Sequence, residues 1–323
     1  MLITFDKSFK DSLTGTMKER GKHSFWKLAL IIAHGVVFVG VLVINYLSSS
    51  NVGVSSGLYK SSTGDVADKY EILISPAGWT FTIWAVIYIW QFIHIIYSFT
   101  LICRKNKQGE YLYNANPSHI HFSFYIIYII NNCVNIAWIF VFDRELLVAS
   151  TVVLFVIAIS LYICGIIICK YLDHAAANLE SSDLGKDIWM TRIFTLNGIG
   201  IYGTWTTIAS LLNLAISLQH VAEVHPVTCA WVALGILTGE LVIWFVMETF
   251  FFDRYLRYLF TPYVVLVVAF SGVLSKQLDP SNPAPYLIYI IVLLSITVVL
   301  GLIKVLVMFV RGQRQPITYF TSV

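Results

Sequence analysis

The chain has 323 residues, of which 58% are hydrophobic and only 12% charged, and 21 Lys and Arg against 18 Asp and Glu leave a net charge of +3. A soluble domain carries about 25% charged residues, so this deficit, with a mean hydropathy of +0.76, excludes a water-soluble globule and makes the lipid bilayer the first partner, because charge in hydrocarbon is costly. The small net charge and the lack of a long basic run exclude nucleic acid as a partner.

Apolar runs of about 20 residues, the length a bilayer requires, are expected at 25–47, 77–102, 119–142, 146–169, 193–218, 227–250, 255–274 and 285–310. The fifth follows a polar, helix-compatible stretch at 173–189. Backbone groups in hydrocarbon must bond internally, so the expected fold is all-α, a polytopic bundle of about eight transmembrane helices. The first run starts too far in and is too long for a cleavable signal peptide, and reads as a signal anchor. Cys103, Cys133, Cys164, Cys169 and Cys229 lie in or beside apolar runs without metal-ligand spacing and read as small hydrophobes. No Asn-x-Ser/Thr acceptor occurs.

Lys and Arg set the expected orientation. With the N-terminus inside, Lys60, Lys69, Arg144 and Lys276 fall outside and the other 17 fall inside. The asymmetry supports an even helix count with both termini cytosolic. The tight connection at 252–257 is the weakest point of that count. The longest outside loop, 48–76, is rich in Ser and Gly and carries Asp65, Asp68 and Glu71. It is either a solvated linker or a lid over a pocket on that side.

Three runs carry stripes unlike plain lipid-facing Leu, Ile and Val. Steps of three and four put Trp84, Tyr88 and Gln91 on one face of the second helix. The same arithmetic aligns Tyr128, Asn131, Asn135, Trp138 and Phe142 in the third, and Tyr202, Trp205, Thr206, Ala209 and Asn213 in the fifth. Amides and indoles facing lipid would lack partners. They must face other helices, as interhelical hydrogen bonds with Gly198, Gly200, Gly203 and Ala209 allowing close approach, or line a shared aromatic pocket.

At these residues the chain resembles the TspO/translocator family of tryptophan-rich membrane proteins, also called peripheral benzodiazepine receptors. The family opens its second helix with Pro-x-Gly-Trp-x-Phe; here Pro76-Ala77-Gly78-Trp79-Thr80-Phe81 precedes Trp84 and Tyr88. Its third helix carries Asn-x-x-Trp and then Phe, matched by Asn135, Trp138 and Phe142. Its fifth carries Tyr-x-x-Trp, Ala and Asn, matched by Tyr202, Trp205, Ala209 and Asn213. The second-helix element is one residue short between Phe81 and Trp84 and lacks the family's proline. The resemblance covers about residues 25–220. It implies five TspO-like helices and a cavity for porphyrin-, sterol- or lipid-like molecules lined by Trp79, Trp84, Tyr88, Asn135, Trp138, Tyr202, Trp205 and Asn213, with haem or porphyrin a cofactor on family grounds alone.

The expected division is a cytosolic tail at 1–24, the TspO-like region at 25–220, three added helices at 221–310 and a cytosolic tail at 311–323. In the sixth helix, Glu240, Trp244 and Glu248 follow each other at four-residue steps. An intramembrane carboxylate is a functional candidate. Glu240 is read equally as a proton or cation site and as a structural hydrogen bond. Glu248 reads as interfacial, or as a partner of Lys304 at similar depth. His34 and His94 lie inside the first two helices, either as hydrogen-bonding residues or, if they meet, as haem ligands or a proton relay. His119 and His121 read as interfacial. Thr321, Ser322 and Val323 fit capture of a C-terminal carboxylate by a PDZ-type groove. No nucleophile elbow, phosphate loop or metal signature is present, so no enzyme is expected. The leading expectation is a ligand-binding transporter or sensor. A proton-coupled transporter or channel built on Glu240 and a structural scaffold are the alternatives, and a homo-oligomer is compatible with each. The signal-anchor-like start favours the plasma membrane or endomembranes over the mitochondrial outer membrane.

Overall fold

A computed structural model of the chain describes residues 21–314. The elements are α1 (Phe25–Ser48), short α2 (Asn51–Ser55) and α3 (Thr63–Lys69), a 3-10 turn (Gly78–Thr82) leading into α4 (Ile83–Cys103), α5 (Phe122–Asp143) and α6 (Leu147–Ser181). They continue with α7 (Gly185–His220), α8 (Pro226–Phe251), α9 (Thr261–Gln277) and α10 (Pro285–Arg314). The C-terminal Thr321, Ser322 and Val323 and most of the N-terminal tail lie outside the described residues.

Seven of these helices are long and apolar enough to cross a membrane: α1, α4 with its leading turn, α5, α6, α7, α8 and α10. The expected eighth, at 255–274, is where the structure differs. Residues 253–256 form a separate short turn and α9 begins only at Thr261, giving 17 residues. At 1.5 Å per residue that is about 25 Å, at the short limit for spanning. Pro262 in its first turn explains the late start, since proline suits a helix's first turn but breaks one that runs through it. The polar stretch 173–189 is also divided: its first part extends α6 to 35 residues, about 52 Å and well beyond the hydrocarbon, and its last part opens α7.

Helix α7 is the axis of the bundle. Of its apolar window 78% is buried, against 22% for α1 and α10. It packs on α4 and α6 to one side and on α8 and α9 to the other. Its composition allows this: a Cβ at Gly198 would lie 2.7 Å from Trp90 Cδ1, and one at Gly200 would lie 2.6 Å from Leu259 Cδ1. The expected packing role of these glycines holds. One continuous core runs from Ile31 to Leu293, so the residues on either side of position 220 share a single interior.

Polar contacts define the two ends of the bundle. Lys27 at the start of α1 donates to Asn114, Lys107 to the Ser181 carbonyl, Arg254 to Asp173, and Arg311 pairs with Asp253. These contacts gather the starts of α1 and α5 and the ends of α4, α6, α8 and α10 at one end. At the other end the 48–76 loop is an ordered cap. Asp143 Oδ1 accepts the Lys60 and Ser61 N–H groups at 2.7 and 3.1 Å. Glu145 takes Lys69 and Tyr70, Glu71 takes Lys276, and Ser62 with Asp65 forms a capping box on α3.

Candidate functional site

The three aromatic stripes converge. Trp84 is the centre: its ring lies 5.8 Å from Tyr88, 5.9 Å from Tyr202, and 6.5 Å from both Trp138 and Trp205. Trp138 stacks on Phe142, and Phe81 meets Trp205 edge-on. These separations suit offset and T-shaped pairs. α4, α5 and α7 each contribute because steps of three and four return one face to the interior.

Polar atoms thread the rings. Trp138 Nε1 donates to Ser150 Oγ at 2.8 Å, and Ser150 donates to Asn213 Oδ1 at 3.0 Å. Asn45 donates to Asn135 Oδ1 at 3.1 Å. Asn131 donates to the Ile157 carbonyl and Ser160. Part of each stripe is therefore interhelical bonding. The rest is not: Trp205 Nε1 and both polar atoms of Gln91 are buried without a partner, and Asn135 Nδ2 has only the Tyr202 hydroxyl beside it. Trp79 stands apart, half exposed, donating to Ser275 on α9 at 3.1 Å.

The interior is filled by the rings themselves. Beside Trp205 a cavity of about 40 Å³ opens among Pro76, Ile208, Leu237, Phe270 and neighbours from α7, α8, α9 and α10. Ligand pockets are about 300–1,000 Å³, so a flat ligand enters only if these rings move.

The carboxylates of α8 separate. Glu248, expected at the interface, is fully buried. Lys304 Nζ donates to its Oε2 at 3.0 Å and the Tyr263 hydroxyl donates to its Oε1. The π-turn Met247–Phe251 turns this residue inward. Glu240 is half-buried, and its Oε2 has no partner. His34 and His94, from α1 and α4, do meet, with centroids 5.5 Å apart.

One cluster was not expected from the sequence. Asp187, fully buried at the start of α7, takes both Arg104 nitrogens at 2.7 and 2.6 Å. Tyr97 donates to its Oδ1 at 3.0 Å and lies 2.9 Å from His119 Nε2. The partners are 83 and 90 residues from Asp187, and the only hint was an acid in a polar stretch before an apolar run. His119, expected at the interface, is buried here. Burial holds its pKa down at about 4, against the pull of Asp187. The unfolded imidazole takes a proton near pH 6.5 and the folded one near 4, so stability present above pH 6.5 falls as pH drops between them. His119→Gln should remove this slope, worth at most about 3 kcal/mol. Unfolding midpoints of both proteins from pH 7 to 4 check it.

Among the described residues, no group of three or more His, Cys, Asp or Glu is placed to hold a metal ion, and all five cysteines are free. The family model described as TSPO-like protein matches residues 31–305. That range takes in all three motif segments and continues past position 220 into α10. No curated protein and no solved structure matches the chain.

Proposed function

Because the chain belongs to the TSPO-like protein family, we propose that it binds a small hydrophobic or aromatic molecule, porphyrin-, sterol- or lipid-like, within the bilayer and transports or senses it. The ligand is held by Trp84, Tyr88, Asn135, Trp138, Tyr202, Trp205 and Asn213, with Trp79 at the rim. The observation that carries this reading is the unpartnered donor Trp205 Nε1, inside a cluster of aromatic rings and lining a cavity. Buried donors without partners are costly, and a ligand oxygen or carboxylate satisfies them. Ring faces supply sequence-tolerant apolar contact for a flat molecule.

The ordered 48–76 loop acts as the lid over this site, since its Ile74 and Pro76 line the cavity beside Trp205. The test is to identify small molecules that co-purify with the protein by mass spectrometry, then to titrate protoporphyrin IX and cholesterol. Trp138→Ala with Trp205→Ala should weaken binding about 10-fold or more, with helical circular dichroism retained. Equal, weak binding by the wild type and the double variant would remove the pocket.

Eight crossings with both termini in the cytosol fit this reading. The 17-to-4 charge asymmetry favours them, and α9 is tied to Asn197 on α7 at its start and to the 48–76 loop at its end. The plasma membrane or an endomembrane is the favoured site. The family is generally one of binding and transport rather than catalysis. A second reading rests on the unpartnered Glu240 Oε2 on α8: proton-coupled transport through the last three helices. Proton flux in liposomes that is unchanged by Glu240→Gln would sink it.

A further inference from the structure

His34 on α1, His94 on α4 and Tyr125 on α5 surround one point inside the bundle, away from the tryptophan cluster. Their ring centroids are 5.5 Å (His34–His94), 5.8 Å (His34–Tyr125) and 6.5 Å (His94–Tyr125) apart. None is more than 3% exposed. Neither His34 nitrogen has a hydrogen-bond partner, and the Tyr125 hydroxyl has only Ser98 beside it. The two orphaned nitrogens of a fully buried imidazole call for an occupant, because each carries an uncompensated desolvation cost.

His94 is held differently. Its Nδ1 lies 2.9 Å from Thr195 Oγ1, while its Nε2 has only a 3.4 Å contact with Ser98. One nitrogen oriented by an outer partner and the other left weakly engaged is the arrangement of a metal-ligating imidazole. The π-turn Thr191–Leu196 carries Thr195 in α7 at this position. The distances agree as well. With bonds of about 2.0 Å, two imidazoles on one tetrahedral ion have centroids roughly 5 Å apart, and an imidazole and a phenol roughly 6 Å.

We propose that His34, His94 and Tyr125 form a buried site for one first-row transition-metal ion of the kind imidazole ligates, Cu⁺ or Zn²⁺. Two neutral imidazoles supply the nitrogens, and the phenol supplies an oxygen that as phenolate offsets charge on a divalent ion. Phe124 and Tyr128, 5.2 Å from His94 and 5.0 Å from His34, exclude water around it. Sequence spacing could not show the site, because the three donors come from three helices.

The test uses full-length protein purified in lipid nanodiscs through a tag free of histidine. Cu⁺ under reducing conditions and Zn²⁺ are titrated separately, and bound metal is measured by mass spectrometry and X-ray absorption. The expected result is one equivalent of one of these ions with two nitrogen ligands at about 2.0 Å. His34→Gln with His94→Gln should abolish it, and Tyr125→Phe, which preserves shape, should weaken it. Thr195→Val, which touches no metal, should cost about 10–100-fold in affinity by freeing the His94 ring. His174→Gln should bind as wild type does. Binding of neither ion above the level of the double variant, or equal binding by wild type and the double variant, would overturn the site.

Discussion

Lys304→Met should destabilise the protein by about 3–5 kcal/mol, although methionine matches lysine in length and suits a membrane helix. The loss comes from what remains. Glu248 is fully buried, Lys304 is 4% exposed, and the ammonium lies 3.0 Å from Oε2 while also donating to the Leu256 carbonyl. Removing the cation leaves a carboxylate in a low-dielectric interior with only neutral donors, the Tyr263 hydroxyl and the Trp244 indole, beside it. The companion Glu248→Gln in the same chain should recover most of the stability, because a neutral amide still accepts from Tyr263 and no charge is stranded. Reversible unfolding of the single and double variants in mixed micelles measures both. A single variant within about 1 kcal/mol of wild type would show that the pair reaches water.

Arg104→Met should be nearly as severe, again about 3–5 kcal/mol. Asp187 would keep one Tyr97 hydrogen bond and lose two charge-assisted bonds. Asp187→Asn should be milder, because Arg104 is 38% exposed and can turn to water when its partner is neutral. The order Arg104→Met worse than Asp187→Asn is the sharper test. A purely surface salt bridge would give equal, small effects for both.

Both pairs show why the fold was more legible than its chemistry. Apolar run lengths and the excess of Lys and Arg near one set of helix ends are local properties, so the apolar part of each helix could be placed along the chain. Three extents differ: α6 runs on to Ser181 and α7 opens at Gly185, because a polar stretch continues a helix beyond the hydrocarbon, and α9 starts late, because hydropathy does not register where Pro262 restarts the helix. Trp84, Trp138 and Trp205 could be assigned to interior faces because period-3.6 arithmetic needs no tertiary information. The family they indicate followed from the order of three motifs, while their convergence around Trp84 is read from the packed helices. Asp187 and Arg104 carried no such signal, and neither did the burial of His119.

By itself the sequence determined that this protein lives in a bilayer as a bundle of apolar helices, which faces of three of them look inward, and that it is TSPO-like. These follow from composition and periodicity, which fix the solvent a segment prefers and the direction its side chains point. Only the tertiary structure decided which inward groups meet. It drew Glu248 to Lys304 and Asp187 to Arg104, brought His34 against His94, and filled the aromatic interior with its own rings. The physical reason is that pairing energies depend on distances between residues 50 to 90 positions apart, set by how helices pack around α7, and no periodicity along one helix encodes them.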